Sequence, residues 1–109
     1  MRLTEEPKVK VSVRMPAIYM KILRDMAYNN AKMKSVNKIV TDAIANYIRD
    51  GTDIADNTVY AEYEIATFLI PVSLYTTLMT FVQDRKVTVS EVVRNAIYLY
   101  ISKVMHNDS

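Results

Sequence analysis

The chain repeats itself, and that limits its fold more than any other feature does. SVNKIVTDAIANYI at residues 35–48 and TVSEVVRNAIYLYI at residues 88–101 align at a constant offset of 53. Val36 falls on Val89, Val40 on Val93, Ala43 on Ala96, Ile44 on Ile97, Tyr47 on Tyr100 and Ile48 on Ile101. In the first copy the apolar positions are Ile39, Val40, Ala43, Ile44, Tyr47 and Ile48. In the second they are Val92, Val93, Ala96, Ile97, Tyr100 and Ile101. Steps of one and three in alternation trace one face of a helix. Asn37 and Ser90 coincide in the repeat and read as helix N-caps, and capping is also the plainer reading of Ser35 and Thr88. The first helix is expected to stop at Asp50-Gly51, where glycine accepts the left-handed conformation.

A shorter pattern precedes each of these helices. Tyr19, Ile22, Leu23, Met26 and Ala27 follow Pro16, and Leu74, Leu78, Phe81 and Val82 follow Pro71, at an offset of 55. The two-residue difference is assigned to the turn NNAKMK. Both prolines stand where a strand gives way to a helix, a place that tolerates a missing N–H. Before the prolines come KVKVSVRM, with apolar residues at every second position, and AEYEIATFLI, rich in β-branched and aromatic residues. The expected order is therefore β-α-α-β-α-α: a mainly α protein with a short antiparallel β-ribbon. Residues 1–51 form the first unit, 52–60 a polar linker and 61–109 the second unit. At about fifty residues, one unit alone buries too little surface to be stable, so the two are expected to share one core.

Charge is divided unevenly. Residues 1–50 carry ten Lys/Arg against five Asp/Glu, and residues 51–109 carry four against seven, so +5 and −3 make the net +2. A basic first half is an electrostatic footprint for phosphate. The chain has no cysteine and a single histidine, His106, so disulfides, thiolate metal sites and histidine chemistry have little to build on. Asp25, Asp42 and Asp84 fall on helix faces expected to be exposed and form no catalytic constellation. The reading is of a non-enzyme without metal, cofactor or small-molecule substrate. No apolar run has the length of a membrane span, and MRLTEEPK lacks a signal peptide's apolar core, which points to a cytoplasmic protein.

With these elements in place the sequence resembles the ribbon-helix-helix pattern of the Arc, MetJ and CopG repressors. VSVRMP with SVNKIVTDAIANYI carries the resemblance once, and IATFLIP with TVSEVVRNAIYLYI carries it again, over almost the whole chain. The composition, rich in Ile, Tyr, Lys and Met, is similar to that of small regulators of archaeal viruses and plasmids. The resemblance implies two strands paired into a ribbon that enters the DNA major groove, and second-helix N-termini that hold phosphate. It implies a sequence-specific transcription regulator, repressor or activator, acting on double-stranded DNA in the cytoplasm of its host and as a homo-oligomer.

Carried onto this sequence, base contacts are expected from Lys10, Ser12 and Arg14, which alternate with Val11, Val13 and Met15. Thr67 is the equivalent in the second copy, flanked on its outward face by Ile65 and Leu69. Phosphate contacts are expected from Lys8, Lys34, Ser35, Asn37 and Lys38, and from Thr88 and Ser90. The second copy departs from the pattern: only Thr67 is polar on its outer strand face, and Glu62, Glu64 and Glu91 lie nearby. Two pairings are open, copy one with copy two inside a chain or like with like between chains. Covalent linkage favours the first. Rival functions are a relaxosome or partition accessory factor and a protein-only oligomerisation module. The bland reading of Lys10 and Arg14 is a solvated edge strand.

Overall fold

A computed structural model of the chain, described for residues 6–29, 35–51 and 62–107, has four helices and one two-stranded antiparallel sheet. The order is β1 (Lys8–Pro16), α1 (Ala17–Asn29), α2 (Val36–Asp50), β2 (Tyr63–Pro71), α3 (Val72–Arg85) and α4 (Val89–Asn107). The segment read as a linker and the turn that contains Lys34 lie outside the described residues.

β1 pairs with β2 of the same chain. Ser12 stands opposite Thr67, Lys10 opposite Leu69 and Arg14 opposite Ile65. At either end the ribbon closes with one more bond, from Ala17 N–H to the Glu62 carbonyl (2.8 Å) and from Val72 N–H to the Pro7 carbonyl (3.0 Å). These two bonds are equivalent in the 55-residue repeat, so a local twofold relates the strands and passes between Ser12 and Thr67. The prolines fall at non-hydrogen-bonded positions of the ladder, so their missing N–H costs the ribbon no bond, and their fixed φ leads directly into α1 and α3.

Alternation puts Val11, Val13 and Met15 of β1 with Ala66, Phe68 and Ile70 of β2 on the inner face, all buried. The helices meet them with Leu23, Ile39, Val40, Ile44, Leu78, Val92, Val93 and Ile97, in one continuous core. The halves interlock, because α2 packs on β2 and α4 on β1, and α2 and α4 pack on each other. Burial thus removes apolar surface that neither half could cover by itself.

The helix ends refine the sequence reading. Gly51 closes α2 as expected, with φ 65° and its N–H shared between the Tyr47 and Ile48 carbonyls. The N-caps, however, are not Asn37 and Ser90. Ser35 caps α2, its hydroxyl accepting the Lys38 N–H at 3.1 Å. Thr88 opens α4 as half of a reciprocal pair: its hydroxyl accepts the Glu91 N–H (3.1 Å) while the Glu91 carboxylate accepts the Thr88 N–H (2.9 Å). Both helices start two residues earlier than the expected caps allowed, and Asn37 and Ser90 sit within the first turns. Asp42, expected on an exposed face, is half-buried and pairs with Lys38 at 3.3 Å.

Candidate nucleic-acid interface

The outer face of the ribbon follows from the same alternation that builds the core. Lys8, Lys10, Ser12 and Arg14 of β1 are exposed, and so are Ile65, Thr67 and Leu69 of β2, in the strand phase expected for both copies. At the centre the Ser12 and Thr67 hydroxyls share a hydrogen bond of 2.9 Å. On either side lie one mixed pair each, Lys10 beside Leu69 and Arg14 beside Ile65. The Arg14 guanidinium rests over the Tyr63 ring, 5.3 Å from its centroid, which restrains a side chain otherwise free to wander.

The edges of the ribbon are held by residues that local sequence patterns do not reveal. Asn37 accepts the Leu69 N–H on its side-chain oxygen at 3.1 Å, and Arg94 donates to the Arg14 carbonyl at 3.0 Å. Both backbone groups therefore point away from the partner strand, so the outward residues belong to the closely spaced, non-hydrogen-bonded pairs of the ladder. These contacts blunt two edges that would otherwise be free to pair with another strand. They also fix the first turn of α2 beside Lys10 and Leu69, and α4 beside Arg14. Asn37, expected to touch phosphate, is engaged with the ribbon.

The N-termini of α2 and α4 present different electrostatics. The first turn of α2 carries no acidic residue, and Ser35 and Lys38 are exposed there. The first turn of α4 holds Glu91, whose negative charge opposes an anion there and whose carboxylate accepts the Thr88 N–H. Thr88 is exposed but bound to Glu91, and Ser90 is half-buried. The start of α3 is likewise taken: Glu6 accepts both the N–H and the hydroxyl of Ser73 at 2.9 Å. Of the acidic residues noted in the second copy, Glu64 pairs with Arg24 of α1 at 3.4 Å.

Toward the C-terminal ends of α2 and α4 lies a groove of about 220 Å³ floored by Ala43 and Ala96 and flanked by Tyr47 and Tyr100. Asp50 and Lys103 face each other at its mouth, 4.0 Å apart. Among the described residues no group of three or more His, Cys, Asp or Glu side chains is placed to hold a metal ion. No helix among them is long and apolar enough to cross a membrane. No family model matches the chain, and no curated protein or solved structure matches it either.

Proposed function

We propose that this protein is a sequence-specific, double-stranded DNA-binding transcription regulator built from two tandem ribbon-helix-helix units. The observation that carries the reading is the outer ribbon face, where Lys10, Ser12 and Arg14 stand exposed in one row of a two-stranded ribbon. The major groove of B-DNA, about 12 Å wide, admits such a ribbon, and Lys or Arg there donates to guanine O6 and N7. Lys8, Lys38 and the acid-free N-terminus of α2 lie on the Lys10 side and supply phosphate contacts; Lys34 belongs to the same set by sequence. Thr88 and Ser90 hold the weaker equivalent position on α4. Operators that seat several copies belong to this reading, as does action as repressor or activator on the genes of a virus or plasmid.

The test is fluorescence anisotropy with the chain's own promoter region, a scrambled duplex and a salt series, for wild type and a Lys10→Ala/Arg14→Ala variant. Wild type should prefer the promoter, with log affinity falling by about 0.9 per phosphate contact per decade of salt. The variant should lose roughly thirtyfold or more, since each side chain–guanine pair contributes about 1–3 kcal/mol. A second reading, a protein-only oligomerisation module, draws on the exposure of Ile65 (66%) and Leu69 (37%). It predicts no binding of either duplex at low salt. A relaxosome or partition role would use the same DNA contacts and would be marked by a neighbouring nickase gene.

A further inference from the structure

We infer that a single chain reads a non-palindromic DNA element, with Lys10 and Arg14 selecting guanine and Ile65 and Leu69 selecting the methyl groups of thymine. The inference rests on the DNA-binding reading of this face and goes further, because it assigns a base class to each side chain and a polarity to the site.

A ribbon with true twofold symmetry offers the same side chains to both half-sites, so its operator mirrors that symmetry. Here both strands come from one chain and the symmetry is only local. Rotation about the axis between Ser12 and Thr67 carries Lys10 onto Ile65 and Arg14 onto Leu69. A cation is thus exchanged for a branched apolar side chain at every flanking position. The central pair, Ser12 and Thr67, is a hydroxyl on either strand and is unchanged by the rotation, so the asymmetry lies in the two mixed pairs.

The chemistry of those pairs is specific. The guanine edge offers two acceptors and suits a cation; thymine alone offers a methyl group in the major groove. Ile65 and Leu69 are large apolar side chains left in water on the same face as the basic row, at the ladder positions where side chains stand closest. A thymine methyl packed against either one removes apolar surface from both partners. The phosphate contacts share this polarity: Asn37 ties the acid-free start of α2 to the Lys10–Leu69 end, while the start of α4, with Glu91, belongs to the Arg14–Ile65 end. The element therefore has a strong and a weak flank, and the chain lies on it in one orientation.

Selection of duplexes from a random pool by the full chain, followed by anisotropy, tests this. The duplexes to compare are the selected element, the two palindromes made by doubling each half, and the element with deoxyuridine in place of thymine. The selected element should be asymmetric, and each palindrome should bind about tenfold weaker or worse. Each lost methyl should cost about fourfold with wild type, by the usual worth of one buried carbon, and nothing with Ile65→Ala/Leu69→Ala. Both substitutions are on the exposed face, so the fold is retained. A selected palindrome with equal halves overturns the inference and leaves DNA binding intact. So does an unchanged deoxyuridine response in Ile65→Ala/Leu69→Ala, or a variant whose DNA binding is unaltered while its sedimentation shows a smaller oligomer. Failure to enrich any duplex overturns the DNA-binding reading itself, and this inference with it.

Discussion

Set side by side, the two halves of the molecule agree where they are buried and disagree where they are exposed. Met15 and Ile70, Leu23 and Leu78, Ile39 and Val92, Val40 and Val93, Ala43 and Ala96, and Ile44 and Ile97 are mates in the repeat, and all are buried. On the ribbon's outer face the mates are Lys10 with Ile65 and Arg14 with Leu69, which share neither charge nor polarity. At the second-helix N-termini, Lys38 is matched by Glu91. A shared core needs the inner pattern twice, because each half supplies one wall. A surface has no such requirement, and here only one half keeps the basic row. The duplication is thus a constraint on packing, with the outer side chains left free to take separate tasks.

The largest expected effects probe the side on which the halves agree. Leu23 and Leu78 are fully buried mates on α1 and α3. Leu23→Ala and Leu78→Ala should each destabilise by about 2–5 kcal/mol, the lost transfer energy plus a cavity. The interlocked packing of α2 on β2 and α4 on β1 further requires that either variant unfold in a single transition, since neither half retains a core without the other. Urea unfolding followed by circular dichroism checks both points. A first transition confined to the substituted half would mean that the halves are separate folding units.

Much of this architecture was legible in the sequence, because period-2 and period-3.6 patterns are local. The helical stripes, the strand phase that exposes Ser12 and Thr67, and the glycine stop at Gly51 all follow from spacing. Of the four cap candidates, Ser35 and Thr88 cap and Asn37 and Ser90 do not, and for one helix a local signal tells them apart: TVSE at residues 88–91 has the Thr-x-x-Glu form of a capping box, which its mate SVNK lacks. Other contacts left no local trace. Arg94 reaches the Arg14 carbonyl, Asn37 the Leu69 N–H and Glu6 the Ser73 hydroxyl, each across a long stretch of chain. Only the folded ribbon brings those partners together. The choice of strand partner is illegible for a similar reason, since the same alternating face serves pairing within a chain or between chains.

The two caps offer a smaller and sharper contrast. Ser35→Ala should cost about 1 kcal/mol, the usual worth of one N-cap. Thr88→Ala should cost somewhat more, since its hydroxyl both accepts the Glu91 N–H and donates to the Glu91 carboxylate, while the backbone bond from residue 88 to Glu91 persists. Both differences are measurable as shifts in the urea midpoint. Glu91→Gln separates capping from charge, because the amide oxygen can still accept the Thr88 N–H while the negative charge is gone. In the proposed DNA complex it should tighten binding by a few-fold and steepen the salt dependence by up to one phosphate contact. An unchanged slope would place α4 away from the DNA backbone.

The smallest expected effect concerns Tyr19, whose mate in the second half is Leu74. Burial raises the pKa of the Tyr19 hydroxyl above its ordinary value of 10.0, and the neighbouring Tyr98 and Tyr63 push in the same direction while Arg94 opposes them. Its ring lies 6.5 Å from that of Tyr98, centroid to centroid. The folded chain thus holds this proton at a pH where the unfolded chain has released it. The associated stability is complete below pH 10 and is lost as pH rises through the raised value. Urea midpoints at about pH 9 and about pH 11 should show a decline in wild type that is shallower in Tyr19→Phe. The phenylalanine variant keeps the aromatic packing and removes only the ionising group, so the two curves should converge below pH 10. An equal decline in both proteins would assign the alkaline sensitivity to other tyrosines.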